Sequence, residues 1–146
     1  IKGVIDPYKV GTTIQEGIGS GVKRAKSGFE KAYENLGSIY TIKGEHSTAI
    51  INYKLAVQYD ETSFQALSKM ASSYNYLKEF SNAKIAAIES IDIKPKRNAF
   101  AYFELGVAEK GMGNIVAAKS AFEKASKDKK YRKSAKYELT LIEKGM

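Results

Sequence analysis

Residues 31–53 read KAYENLGSIYTIKGEHSTAIINY and carry the pattern of a helical hairpin. Gly37 stands where a second helix can approach the first closely, and Ala49 is the small residue that it is expected to meet. Gly44 can take the positive φ that closes the first helix. Larger side chains are expected to fill the space between the two helices: Tyr33, Leu36, Tyr40 and Tyr53.

A small residue at the start of this pattern recurs along the chain, at Ala32, Ala66, Ala101 and Ala135. The spacings of 34, 35 and 34 residues predict three stacked hairpins and a fourth first helix. The pattern resembles the tetratricopeptide repeat (TPR) family over roughly residues 29–146, and looks like its general bacterial scaffold type. The resemblance implies an all-α fold of stacked antiparallel helical hairpins, a right-handed superhelix with a C-terminal capping helix.

The resemblance also sets the expected domain organisation. It divides the chain into repeats at about 30–63, 64–97 and 99–132, followed by a capping helix over 131–144. First helices are expected near 30–43, 64–77 and 99–111, and their partners near 46–58, 80–92 and 114–126. The capping helix should bury Ala135, Leu139 and Ile142 on one face and leave its lysines in water.

Residues 1–28 precede the repeats and are interpreted as a degenerate N-terminal helical segment or the remnant of a preceding repeat. Thr13 and Glu16 have the spacing of a capping box, which predicts a helix start. Gly28 fits the C-terminal end of that helix. A flexible glycine linker is the competing interpretation, because each glycine in a helix interior costs roughly 1 kcal/mol.

Composition indicates one soluble domain, with 43% hydrophobic and 27% charged residues and no apolar run near the ~20 residues of a membrane span. The chain has no cysteine, which excludes disulfides and thiolate metal sites. Because it begins at Ile1, we interpret it as trimmed or processed, which is compatible with loss of a signal peptide, a lipid anchor or further repeats. The expected localisation therefore stays open between cytoplasm and bacterial periplasm.

No set of residues in the sequence suggests catalysis or metal binding. His46 is the single histidine, and we interpret it as a packing residue at the entry of the second helix. The glycine-rich residues 17–23 lack the spacing of the known phosphate-binding loops. We therefore expect no enzymatic activity, no cofactor and no metal.

The TPR resemblance implies a binding groove on the inner wall, which the first helices form. The residues expected to face this groove are Glu34, Ser38, Thr41, Ser68, Ser72, Asn75, Tyr76, Phe100, Phe103, Val107, Lys110 and Tyr137. Phe100 and Phe103 lie on one helix face. Either the capping helix covers them through Tyr137 and Leu141, or they form an exposed apolar patch.

One TPR subgroup, the chaperone-binding co-chaperones, clamps an acidic C-terminal tail with lysines and asparagines on this wall. Glu34 and Ser38 occupy the matching places here, where the clamp needs a lysine and an asparagine. The sequence therefore does not predict that particular activity.

The predicted function is a non-enzymatic interaction scaffold that holds a peptide or helix of a partner protein in the groove. The net charge of +8 supports a first alternative, a basic adaptor for nucleic acid or an anionic surface through residues Lys124–Lys136. Lysines near a helix end also complement the helix dipole, which makes this alternative weaker. The second alternative is a structural self-association module that uses residues 1–28.

Overall fold

The computed structural model describes the backbone of residues 7–146 and the side chains of residues 19–146. These residues contain seven α-helices and no β-strand: α1 (Pro7–Ile42), α2 (His46–Tyr59), α3 (Phe64–Tyr76), α4 (Phe80–Ile93), α5 (Ala99–Gly111), α6 (Ile115–Ala125) and α7 (Arg132–Glu143). The all-α prediction is confirmed. The capping box expected at Thr13 and Glu16 lies outside the described side chains.

The helices form three hairpins, α1–α2, α3–α4 and α5–α6, and each helix also packs on the next one along the chain. The first helices of neighbouring repeats touch, because α3 also contacts α5. Apart from the start of α1, every helix begins and ends within one residue of its expected position. The stacked arrangement places α1, α3, α5 and α7 side by side on one wall, with α2, α4 and α6 on the other.

The expected helix end at Gly28 is wrong, because α1 runs without a break from Pro7 to Ile42. Gly28 has no heavy atom within 4 Å of the position that a Cβ would take, so it lies on an open part of the helix surface. A glycine in a helix interior costs only roughly 1 kcal/mol, and the favourable hydrogen bonds of the turns on both sides outweigh that cost. Residues 7–28 therefore continue the first helix of the first repeat.

Two of the three hairpins are built around a ring that rests on a glycine. A Cβ added at Gly37 would lie 2.4 Å from the Tyr53 ring, and one added at Gly106 would lie 2.7 Å from the Phe122 ring. Tyr53 and Phe122 are both fully buried. The small residue expected against Gly37 was Ala49, but the Tyr53 ring takes that place, and Ala49 is buried beside it in the same core cluster.

Leu36 does not fill the space inside the first hairpin as expected, because it is 40% exposed. The same repeat position is buried at Met70 in α3. Leu105 in α5 is partly buried and packs against the core. This position packs on the second helix of the preceding repeat, and no described residues supply such a helix in front of α1. The prediction failed because it assigned an inter-repeat position to the hairpin interior.

The hairpin turns share one backbone feature. Gly44 and Gly113 have φ of +80° and +82°, and Lys78 at the equivalent turn of the second repeat has φ of +61°. The expectation for Gly44 is confirmed. A left-handed residue at this point lets the chain leave the first helix and enter the second within three residues.

The capping helix behaves as expected. Ala135 is fully buried, and Leu139 and Ile142 pack against the cluster that contains Phe122. This cluster is separate from the larger core formed by α2, α3 and α4. The array therefore ends in its own small core, which α7 closes.

We predict opposite stability effects for two glycine-to-alanine changes. Gly106→Ala should lower the free energy of unfolding by about 1 to 3 kcal/mol, because the new Cβ overlaps a buried ring that has no room to move. Gly28→Ala should raise it by about 0.5 to 1 kcal/mol, since the new methyl group enters open space in a helix. Urea unfolding of both variants measures the difference. Equal effects of the two changes would contradict the glycine–ring packing.

Candidate peptide-binding groove

The inner wall carries two groups of side chains with different chemistry. The first group, the polar ladder, crosses the boundaries between repeats and consists of Glu34, Ser38, Lys69, Ser72, Asn75, Glu104, Lys110 and Glu138. The second group, the aromatic end, consists of Phe100, Phe103, Tyr131 and Tyr137.

The polar ladder begins with an ion pair between α1 and α3. Lys69 Nζ lies 2.8 Å from Glu34 Oε1 and donates to Ser38 Oγ at 3.2 Å. It ends with a second ion pair, between Lys110 Nζ and Glu138 Oε2 at 2.8 Å, which joins α5 to α7. Both cations are mostly covered, with side-chain exposures of 35% and 25%. These pairs neutralise their own charges and fix the first helices relative to one another.

The middle rung of the ladder has no cation. Asn75 Nδ2 donates to both the backbone oxygen of Glu104 at 2.9 Å and its Oε2 at 2.8 Å. Burial raises the pKa of the Glu104 carboxyl above its ordinary range, and hydrogen bonds from Asn75 and Ser72 oppose this only in part. The Asn75 Oδ1 atom is buried and has no hydrogen-bond partner. A protonated carboxyl carries a donor as well as acceptors, so proton uptake by Glu104 would suit this buried position better than ionisation does.

Of the expected groove residues, Ser68 is buried and Thr41 and Tyr76 have partners in α2, whereas the groove assignment itself stays a prediction. Ser68 is 1% exposed, and its hydroxyl hydrogen-bonds with Ser90 Oγ at 2.7 Å inside the second hairpin. Thr41 Oγ1 lies 3.0 Å from Tyr53 Oη, between α1 and α2. Short hydroxyl side chains take the nearest partner, and for both residues that partner belongs to the hairpin itself.

Tyr76 is the third of these residues. Its side chain is 71% exposed, but the ring stacks on His46 of α2 with centroids 3.8 Å apart. His46 itself is 9% exposed and its Nδ1 lies 3.4 Å from Ser73 Oγ, which agrees with its interpretation as a packing residue. Tyr76 therefore belongs to the contact between the first two repeats.

The aromatic end is partly core and partly open wall. Phe103 makes an edge contact with Phe122, with centroids 5.4 Å apart, and packs with Val107 in the small C-terminal core. Phe100 stacks on Tyr131 with centroids 5.9 Å apart. Both phenylalanines are partly buried, so they are neither a fully covered core nor a fully exposed apolar patch. The ring that covers them is Tyr131, rather than Tyr137 or Leu141.

Tyr137 is the most open member of the aromatic end, with 63% of its surface exposed. It borders a cavity of about 410 Å³ together with Phe103 and Glu138. A second cavity, of about 320 Å³, lies on the other side of Phe100 and Tyr131. The aromatic end is thus flanked by two open spaces that an apolar side chain can enter.

Several wall residues were missed in the sequence: Lys69, Glu104, Tyr131 and Glu138. Three of them, Lys69, Glu104 and Glu138, share one repeat position, with spacings of 35 and 34 residues. That regular spacing was the signal that could have found them. Tyr131 immediately precedes the capping helix, and its contact with Phe100 depends on the loop that follows α6, which the repeat pattern does not define.

The described residues show neither a metal cluster nor a membrane span. Within residues 19–146 no group of histidine and acidic side chains could hold a metal ion. Across the described helices, none combines the length and apolar composition that a membrane crossing requires. The glycines at 19 and 21 lie inside α1, so they form no loop.

The buried pair of Asn75 and Glu104 predicts that the stability of the fold depends on pH. A folded-state pKa above the unfolded value of about 4.3 means that Glu104 stabilises the fold fully below that pH and less as pH rises through its folded pKa. Glu104→Gln should therefore raise the melting temperature at pH 7 by about 3 °C, and the gain should shrink toward pH 4. A glutamine amide can also donate to Asn75 Oδ1.

Glu109 provides the matched control. Burial pushes its pKa upward, but hydrogen bonds from Lys84 and Asn114 and the charge of Lys84 outweigh burial and leave the pKa lowered. Its contribution is present above the unfolded pKa and is lost as pH falls through the folded pKa, so Glu109→Gln should lower the melting temperature at pH 7. Thermal unfolding between pH 4 and pH 8 measures both variants. Destabilisation by Glu104→Gln at pH 7 would contradict a raised pKa of Glu104.

Comparison with known proteins supports the fold. Residues 30–63 match the sequence model of a tetratricopeptide repeat. The first TPR domain of Spaghetti (RPAP3), solved with the HSP90 peptide SRMEEVD, is 22% identical, with 82% of this chain and 94% of that chain covered and a TM-score of 0.77. The second TPR domain of human RPAP3, solved with the HSP70 peptide SGPTIEEVD, is 21% identical, with 83% and 98% covered and a TM-score of 0.73.

A third similar structure is the Sgt2 TPR domain from Aspergillus fumigatus, which is 21% identical, with 79% of this chain and 82% of that chain covered and a TM-score of 0.68. No curated protein matches the chain. At these identities the structural likeness concerns the fold. The three hairpins and the shared architecture therefore show a tetratricopeptide repeat fold, and residues 30–63 match the sequence model of that repeat.

Proposed function

We propose that the protein is a non-enzymatic interaction module that binds a peptide or helix of a partner protein on its inner wall. The observation that carries the proposal is the aromatic end, where the exposed Tyr137 and the half-buried Phe100 are flanked by two cavities. Accessible rings on a rigid helical wall supply contact area at low entropic cost, and such rings dominate many protein interfaces. Peptide binding by the similar RPAP3 domains gives independent support.

The groove should not select the acidic tails that the RPAP3 domains bind in their solved complexes. Glu34 and Ser38 stand where the TPR clamp needs a lysine and an asparagine, and Lys69 is already bound to both of them. The wall then meets the buried Glu104, which has no cationic partner. A carboxylate placed along this wall would find Lys69 and Lys110 already paired with Glu34 and Glu138, so we expect the partner to insert an apolar or aromatic side chain at the aromatic end.

The two alternatives have less support. The basic residues Lys124 and Lys127 line a cavity that adjoins the one beside Phe100, and the two cavities share Arg97, Asn98, Ala99 and Asp128. Self-association through residues 1–28 stays a prediction, which sedimentation at several protein concentrations can test. The exposed Leu36, which follows this segment in α1, is the apolar side chain that self-association would cover.

The test of the groove uses peptides selected from a random library on the native protein. Tyr137→Ala should weaken the best selected peptide by at least about tenfold, as expected when a central anchor is truncated. The acidic peptide SRMEEVD should bind more weakly than the selected peptide. Fluorescence anisotropy measures both affinities.

Val116→Ala is the matched control, because Val116 is an apolar residue of the outer wall and is 87% exposed. It should leave the affinity unchanged, and both variants should melt like the parent since neither side chain is buried. Phe103 is unsuitable for this purpose, because its contact with Phe122 makes it part of the core. Equal binding by the Tyr137 variant and the parent would refute the groove proposal.

A further inference from the structure

A basic notch lies between the α4–α5 loop and the end of α6. It encloses about 440 Å³, and its charged and aromatic lining residues are Lys96, Arg97, Tyr102, Lys124, Lys127 and Asp128. Two clusters of basic residues that are far apart in the sequence meet here, because the third hairpin folds the end of α6 back beside the start of α5. The notch adjoins the cavity beside Phe100, with which it shares Arg97, Asn98, Ala99 and Asp128, but it shares no lining residue with the cavity beside Tyr137.

No acidic side chain within residues 19–146 forms an ion pair with the cations of the notch. The three ion pairs of the described residues involve Lys69, Lys84 and Lys110, so all four cations of the notch are unpaired. Asp128 is the one acidic residue of the lining, and its Oδ1 already accepts a hydrogen bond from the Lys130 N–H at 2.8 Å. Four cations against one carboxylate leave a local excess of positive charge that favours an anion.

The walls of the notch are held in place by hydrogen bonds. The buried Asn98 donates through Nδ2 to Ser90 O at 3.2 Å and Ser90 Oγ at 3.0 Å, which anchors the α4–α5 loop. Tyr102 Oη donates to Pro95 O at 3.2 Å. Lys124 Nζ lies 5.3 Å from the centre of the Tyr102 ring, so the end of α6 is fixed against α5. The backbone segments that carry the four exposed cations are therefore held in place, which reduces the entropy lost when an anion binds.

We propose that the notch binds a phosphate monoester, which a phosphorylated side chain of a partner or a small free molecule can supply. A phosphate monoester carries close to two negative charges and three acceptor oxygens, which suit a guanidinium and several ammonium groups. The start of α5 at Ala99 also borders the notch, and Asn98 makes no side-chain cap to it. The free N–H groups in the first turn of α5 strengthen the positive field that the cations create.

The size and shape of the notch disfavour nucleic acid. A cavity of about 440 Å³ admits one phosphorylated side chain, whereas nucleic-acid binding needs a basic stripe that follows several phosphates. The aromatic surface of the notch is limited to Tyr102, whose ring is already covered by Lys124. The notch therefore lacks a stack of open rings for bases.

The experiment is an NMR titration of the full chain with four probes: a glycine-flanked phosphoserine peptide, its unphosphorylated twin, inorganic phosphate, and single-stranded oligothymidylate. The phosphoserine peptide should shift the amide signals of residues 96–98 and 124–128, and the unphosphorylated twin should not. If inorganic phosphate binds as tightly as the peptide, the proposal holds with a small molecule as the source. If the peptide binds more tightly, the source is a phosphorylated side chain.

Two double variants that remove the same amount of charge distinguish a specific binding site from non-specific electrostatic attraction. Lys96→Ala with Lys124→Ala should weaken the phosphoserine peptide at least about tenfold, because charge-assisted hydrogen bonds are lost. Lys129→Ala with Lys136→Ala removes two cations outside the notch and should change the affinity by less than about twofold. Equal losses in both variants, shifts spread along α7, or tighter binding of oligothymidylate than of the phosphoserine peptide would each overturn the proposal. Tyr137→Ala should leave these shifts unchanged, which keeps this result independent of the groove test.

Discussion

Rings pressed on glycines hold the first and third hairpins together, and much of the remaining structure depends on that contact. Tyr53 packs its ring directly on the backbone at Gly37, and Phe122 does the same at Gly106, so only a ring separates the paired helix backbones there. The second hairpin reaches the same closeness with fully buried alanines, Ala71 and Ala87, at the equivalent positions. Because the spacing within hairpins is fixed in this way, successive first helices line up as one wall, and side chains from different repeats can meet on it.

The repeat period was sufficient to locate almost every helix boundary, because the spacing of Ala32, Ala66 and Ala101 reflects the geometry of stacked hairpins directly. The exception is the start of α1, because Gly28 was expected from its residue type alone to end a preceding helix. A single glycine weakens a helix slightly but does not end it unless the backbone needs a positive φ, as at Gly44. Local signals therefore define a boundary only where the turn geometry requires them.

The site was harder to predict than the fold, for a physical reason. Helix periodicity tells which face a residue occupies, but a short polar side chain on that face still chooses its own partner. Ser68 and Ser90 satisfy each other inside a hairpin, whereas Asn75 and Glu104 satisfy each other across a repeat boundary. The same period-based reasoning also missed Tyr131, since it lies in a loop whose path depends on the end of α6.

The inner wall combines neutralised charges with one open aromatic surface, and this contrast is the basis of the proposed function. The ion pairs of Lys69 and Lys110 leave those residues little free charge for a ligand, while Tyr137 remains accessible. The most direct measurement is photo-crosslinking of a selected peptide that carries a benzophenone side chain, with the attachment sites located by mass spectrometry. Crosslinks at residues 100–107 of α5 and 133–137 of α7 are predicted. Crosslinks confined to the outer helices α2, α4 and α6 would contradict binding on the inner wall.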